Sequence, residues 1–171
     1  MDSRKLFTSS TDSSLLVRDV AGSYRPAEPS EVLQAALRVL AGQLRGTEML
    51  SSPQAVRDFL RIKLGTLEHE VFAVIHLDAQ HRVIEYVEMF RGTVTQTSVY
   101  PREVVKEAMA HNTAAIVLVH NHPSGVAEPS RADEHLTQTL KSALSLVDVR
   151  VIDHLIVAGP TILSFAERGL I

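Results

Sequence analysis

The chain has 171 residues, 45% of them hydrophobic and 22% charged, which is enough for one ordinary domain with a full apolar core. A net charge of -3 offers no broad attraction to nucleic acid, and no apolar run approaches the roughly 20 residues that span a bilayer. Cysteine is absent, which excludes disulfides, thiolate zinc sites and cysteine nucleophiles, so any metal must be held by imidazole and carboxylate. The opening MDSRKLFTSSTDSSLLV lacks the apolar segment of a secretory signal, so the expected location is the cytoplasm.

Residues 1–28, rich in Ser, Thr and Asp, predict a loosely held arm that ends at Pro26 and Pro29. A helical segment follows over 29–66. Its first helix opens at Ser30, presents Val32, Ala35, Ala36, Val39 and Leu40 on one face, and fades at Gly42 and Gly46. The second starts at Ser52-Pro53, a cap followed by proline, and buries Val56, Phe59, Leu60 and Leu64 before Gly65.

The main domain, 67–171, begins with a change of period. EVFAVIHLD and RVIEYVEMF, joined by DAQH, predict a hairpin, and TVTQTSV after Gly92 predicts a third strand. Pro101 opens the helix PREVVKEAMAH, with Val104, Val105, Ala108 and Met109 facing inward. AAIVLVH is almost wholly apolar, as a strand buried on both faces must be. Ser130 begins a helix with Ala132, Leu136, Leu140, Ala143 and Leu144 on its buried side, and RVIDHLIVAG and TILSF are two closing strands. The order predicts an α/β domain whose mixed sheet is covered by helices.

Chemistry concentrates in His120–Asp133, HNHPSGVAEPSRAD. Side chains two apart on a strand point to one side, so His120 and His122 project together where the central strand leaves the core. Pro123 and Gly125 turn the chain so that the next helix returns its first turn, Ser130 to Asp133, to the same place. Two imidazoles and a carboxylate make a three-ligand set for zinc with a fourth position open, and zinc lowers the pKa of a bound water to about 7. Ser130-x-x-Asp133 is also a capping box in form, and His-x-His pairs decorate many surfaces. The two readings stand side by side on spacing alone. Barrel hydrolases need a longer chain, zinc deaminases need a Cys-x-x-Cys pair, and no HExxH helix is present.

His120-x-His122-Pro123, six residues, then Ser130-x-x-Asp133 resembles the signature of the JAMM (MPN-plus) metalloproteases. The wider pattern resembles the JAMM domain of the bacterial RadC family, through FRGTVTQTSVYPREVVKEAM, VHNHPSG, PSRAD, RVIDHLIV and the closing ERGL. The resemblance implies a JAMM/MPN-like (cytidine-deaminase-like) fold and a zinc ion held by His120, His122 and Asp133. It further implies that Ser130 steadies the oxyanion of a tetrahedral intermediate, with a glutamate general base on an earlier strand. By block order that base is Glu70, with Glu88 the alternative. Asn121 stands where many JAMM proteins have Ser or Thr, and it is expected to point away from the ligands. Longer family members carry an N-terminal helix-hairpin-helix segment that residues 1–65 do not resemble, so a short form without direct DNA binding is expected.

Asp153 and His154 sit mid-strand, where an acid beside a histidine can orient a ligand but more commonly hydrogen-bonds within the sheet edge. His69, His76, His81, His111 and His135 read as surface residues, and Arg91 and Arg102 as exposed cations flanking the site. The leading function is a zinc hydrolase that cleaves peptide or isopeptide bonds in a peptide or protein substrate. The alternative is a non-catalytic metal-binding interaction protein linked to DNA repair or recombination. A nuclease would need more clustered carboxylates.

Overall fold

The computed structural model describes residues 15–46, 49, 53–92 and 98–171. In chain order the elements are β1 (Leu16–Arg18), β2 (Tyr24–Pro26), α1 (Pro29–Leu44), α2 (Pro53–Leu64), β3 (Val71–Leu77) and β4 (Val83–Arg91). Then come α3 (Pro101–Ala110), β5 (Ala115–Asn121), α4 (Arg131–Ser145), β6 (Arg150–Ala158) and β7 (Thr161–Ser164). By packing, the chain divides after Arg38 into two compact units.

In the first unit, part of the segment expected as a loose arm is folded. β1 and β2 form a two-stranded antiparallel ribbon. Asp19 builds its turn, its Oδ1 accepting from the amides of Ala21 and Ser23, with Gly22 at φ +87°. Composition suggested disorder because it does not register an aspartate placed to close a turn.

The second unit is built on a five-stranded sheet in the order β4-β3-β5-β6-β7, with β5 and β6 parallel and every other pair antiparallel. Every residue of β3 and β5 is buried, which places these apolar runs at the sheet's centre. α3 and α4 cover one face through a core of Phe72, Val74, Val104, Ala108, Ile116, Leu118, Leu140 and Leu144. α2 covers the other, burying the predicted stripe of Val56, Phe59, Leu60 and Leu64, with Phe59 edge-on to Tyr86 at 5.2 Å. Gly65 ends α2 where no larger residue fits, since an added Cβ would lie 2.5 Å from the Arg61 carbonyl oxygen and 2.8 Å from that of Gly159. This is the α/β class, a mixed sheet flanked by helices, that the sequence predicts. Among the described residues no helix is long and apolar enough to cross a membrane.

Several local expectations differ from the structure. α1 runs through Gly42 to Leu44. Of the expected third strand TVTQTSV, residues 93–97 lie outside the described residues, as does the expected cap Ser52, while Ser98 and Val99 are in no strand. Met109 is 58% exposed, and Ala132 is exposed while Thr137, five residues along, is fully buried. His76, expected at the surface, is fully buried in β3. Its Nδ1 meets Thr113 Oγ1 at 2.9 Å, its ring stacks on His111 at 4.4 Å, and its Nε2 has no hydrogen-bond partner among the described residues. A strand enclosed on both faces carries its polar residues inward with the rest.

Burial, together with the neighbouring charge of His111, lowers the His76 pKa to about 4. Below its ordinary value near 6.5 the unfolded chain therefore takes up a proton that the native state refuses. Stability contributed by neutral His76 is complete above that value and falls as pH drops toward about 4, by up to roughly 3 kcal/mol. His76→Gln, which keeps a partner for Thr113 and does not titrate, should flatten this part of the stability curve. Urea unfolding of both proteins at several pH values between 7 and about 4 reads the difference.

Candidate metal centre

Parallel strands cannot be joined by a tight turn, and the connection from β5 to β6 runs through α4. The helix therefore starts beside the carboxyl end of β5, where His120 is the last residue but one of the buried strand and His122 opens the loop. The His122 amide donates to the Val157 carbonyl at 2.8 Å, and the Gly125 amide donates back to the His122 carbonyl at 3.0 Å with Gly125 at φ +77°. Gly125 supplies a backbone conformation that a side chain would strain.

The loop brings three donors together. His120 Nε2 lies 2.9 Å from His122 Nε2, 3.3 Å separates it from Asp133 Oδ1, and His122 Nε2 is 3.6 Å from Asp133 Oδ2. His120, His122 and Asp133 are the group of metal-ligating side chains found among the described residues. A tetrahedral zinc ion spaces nitrogen and oxygen ligands by about 3.3 Å, so the cluster has the dimensions of a zinc site.

The protons point the same way. His122 Nδ1 lies 2.7 Å from the Val126 carbonyl, which only accepts, so Nδ1 carries the hydrogen and a neutral His122 presents a lone pair at Nε2. His120 turns its Nδ1 to His154, 2.8 Å away, and its Nε2 to the cluster. The two Nε2 atoms, 2.9 Å apart, are close enough to share a hydrogen or to bind one metal ion together. The hydrogen bond to Asp133 raises the His122 pKa against the effect of burial, and the charges of Asp133 and Glu70 add to the rise. Burial pushes the Asp133 carboxyl up, but hydrogen bonds from His120 and His122 outweigh it and hold the group well below the usual carboxylate range. The site is an anionic donor set that attracts a cation, and zinc fits it.

Ser130 and Asp133 form a complete capping box. The Asp133 amide donates to Ser130 Oγ at 3.2 Å, and the Ser130 amide donates to Asp133 Oδ2 at 2.7 Å. Ser130 Oγ also donates to Asp133 Oδ2 at 2.7 Å. Cap and cluster are thus one structure, with Oδ2 serving the helix and Oδ1 left toward His120.

Glu70 immediately precedes β3. The antiparallel pairing of β3 with β5 ends at Phe72↔His120, and from just beyond it the charge of Glu70 reaches His122. Glu88 is elsewhere. It pairs with Ala73, whose side chain faces α2, and its carboxylate is held by Lys63 Nζ at 2.7 Å. Arg102 is exposed and lies 3.6 Å from Glu103.

Two contributions were not legible from spacing. Asn121 does point away from the ligands, but it has work there. It accepts from the Val71 amide at 2.7 Å and donates to the His69 carbonyl at 3.0 Å, so it grips the backbone on both sides of Glu70. The His154 ring bonds away from the sheet edge, to His120 and Thr137. It is fully buried against His120, whereas Asp153 does bind within the sheet, accepting from Ser164 Oγ at 2.6 Å and from the Ala166 amide at 2.9 Å. Bonding within the sheet edge, the reading the sequence favours, holds for Asp153 and not for His154.

Residues 50–170 match the family model described as RadC-like JAB domain. The chain is similar to UPF0758 proteins of several bacteria. It is 63% identical over 165 residues to that of Leptothrix cholodnii, covering 92% of this chain and 74% of the relative. It is 60% identical over 150 residues to that of Methylibium petroleiphilum, covering 88% and 68%, and 51% identical over 166 residues to that of Variovorax paradoxus, covering 97% and 74%.

Asn121→Ala should leave a buried amide and a carbonyl unpaired beside Glu70, at a cost of about 2–4 kcal/mol in unfolding free energy. Chemical denaturation measures it, and a loss below about 0.5 kcal/mol would show that Asn121 does not hold this segment.

Proposed function

The chain belongs to the RadC-like JAB domain family, and from that footing we propose that it is a zinc-dependent hydrolase of peptide or isopeptide bonds. The observation that carries this reading is the meeting of two imidazole Nε2 atoms with the Asp133 carboxylate at the end of β5. Such a set matches a three-ligand catalytic zinc site, which keeps one position for water or substrate. Bound there, zinc supplies a Lewis acid that acidifies water and polarises a carbonyl.

The chain's own residues take the other roles. Glu70, beside His122, accepts a proton from the attacking water at its carboxylate and returns it to the leaving amine. Ser130 Oγ, already a donor at the rim of the cluster, turns its hydrogen from Asp133 Oδ2 to the developing oxyanion. His120, His122 and Asp133 hold the metal. The Val126 carbonyl keeps His122 turned toward it. The partner is a peptide or protein substrate, and a chain without cysteine suits the reducing cytoplasm, where we place it.

Purified protein should hold about one zinc ion per chain by elemental analysis, and His122→Ala should lose it with the fold retained. Glu70→Gln should keep the zinc and lose about 10²–10⁴-fold in hydrolysis across a screen of peptide and isopeptide substrates. Folded protein that takes up no zinc would remove the hydrolase. A Glu70→Gln protein with full biological effect would instead assign a non-catalytic role, as a metal-binding interaction protein in DNA repair or recombination.

A further inference from the structure

Behind the cluster lies a line of hydrogen bonds whose direction is settled by its far end. Thr137 Oγ1 lies 2.6 Å from the Asp133 backbone carbonyl and 2.7 Å from His154 Nδ1. A carbonyl only accepts, so the threonine hydroxyl spends its one hydrogen there and must accept from His154. His154 is fully buried, with the rings of Phe72 and Phe165 at 6.1 and 4.7 Å. Such surroundings keep an imidazole neutral, with one hydrogen. If that hydrogen is on Nδ1, His154 Nε2 is an acceptor. It sits 2.8 Å from His120 Nδ1, which must then donate. His120 is left with a bare Nε2 facing His122 and Asp133.

We propose that His154, backed by Thr137, is a positioning residue that locks His120 in the one tautomer able to bind a metal through Nε2. The inference rests on the zinc-site reading and adds to it a specific source of that site's preorganisation. The relay starts at the peptide carbonyl of Asp133 and ends at the imidazole of His120, so two ligands from different elements are joined through the core as well as across the cluster. His154 has no route to the reacting atoms and acts only through His120. The same logic explains a polar residue at 137, on the buried side of α4 between the apolar positions 136 and 140.

The test pairs three variants with a measurement on the unaltered chain. Zinc affinity, read by competition with a chelator, should fall about 10–100-fold in His154→Leu, the range seen when a residue supporting a metal ligand is lost. His154→Gln reaches His120 with an amide oxygen and should recover most of that loss. His154→Asn is equally polar but reaches only Thr137, and should not. A merely structural histidine would treat Gln and Asn alike. In the metal-free parent at pH about 9, long-range proton–nitrogen NMR should find the hydrogens of both His120 and His154 on Nδ1.

Parental zinc affinity in folded His154→Leu, or a hydrogen on Nε2 of His120, overturns the proposal. If His154→Leu does not fold, the tautomer measurement decides. A parent chain that binds no zinc sinks the hydrolase instead, and the tautomers still judge the relay.

Discussion

The Asp133 carboxylate serves two structures at once, and the site depends on its doing so. Oδ2 closes the capping box at the start of α4, and Oδ1 faces His120. A helix N-terminus favours negative charge, so the cap and the helix keep the group ionised and hold it still before any cation arrives. A ligand fixed by its own backbone loses little freedom on binding. This arrangement requires the helix to begin beside the end of β5, which follows from the parallel pairing of β5 with β6 and the crossover that such pairing needs.

The two histidines are aimed by different means. His122 stands on the loop and is turned by the Val126 carbonyl of the same loop, a contact made within a few residues. His120 is 2% exposed and is turned by His154 and Thr137, contacts that join β5 to β6 and α4. One half of the donor pair is therefore set by local chain geometry and the other by the core. Loss of either should open the cluster, by loosening the loop in one case and by disturbing the packing of three elements in the other.

Three successive residues at the end of β5 divide the labour. His120 and His122 face the cluster, and Asn121 between them reaches the backbone at the start of β3, where it holds the peptide groups flanking Glu70. The alternation of a strand thus turns one tripeptide into two ligands and one brace. The brace keeps a glutamate near His122 although that glutamate lies outside any regular element.

The buried strands, the stripe on α2, the turn at Gly125 and the cap at Ser130 are all short-range consequences of residue type and spacing, and the sequence by itself determined them. The cluster was legible for the same reason: His120 and His122 share a strand face, and the cap that marks the start of α4 brings Asp133 close behind. The tertiary structure decided what depends on distant partners. A lone histidine in an apolar strand looks the same whether it meets solvent, Thr113 or another histidine, so the sequence puts His76 at the surface and does not show what His154 meets. Their surroundings come from residues about 35 positions away. Block order alone favours Glu70 over Glu88 in the sequence, and the ion pair of Glu88 with Lys63 of α2 is a contact that only the tertiary structure shows.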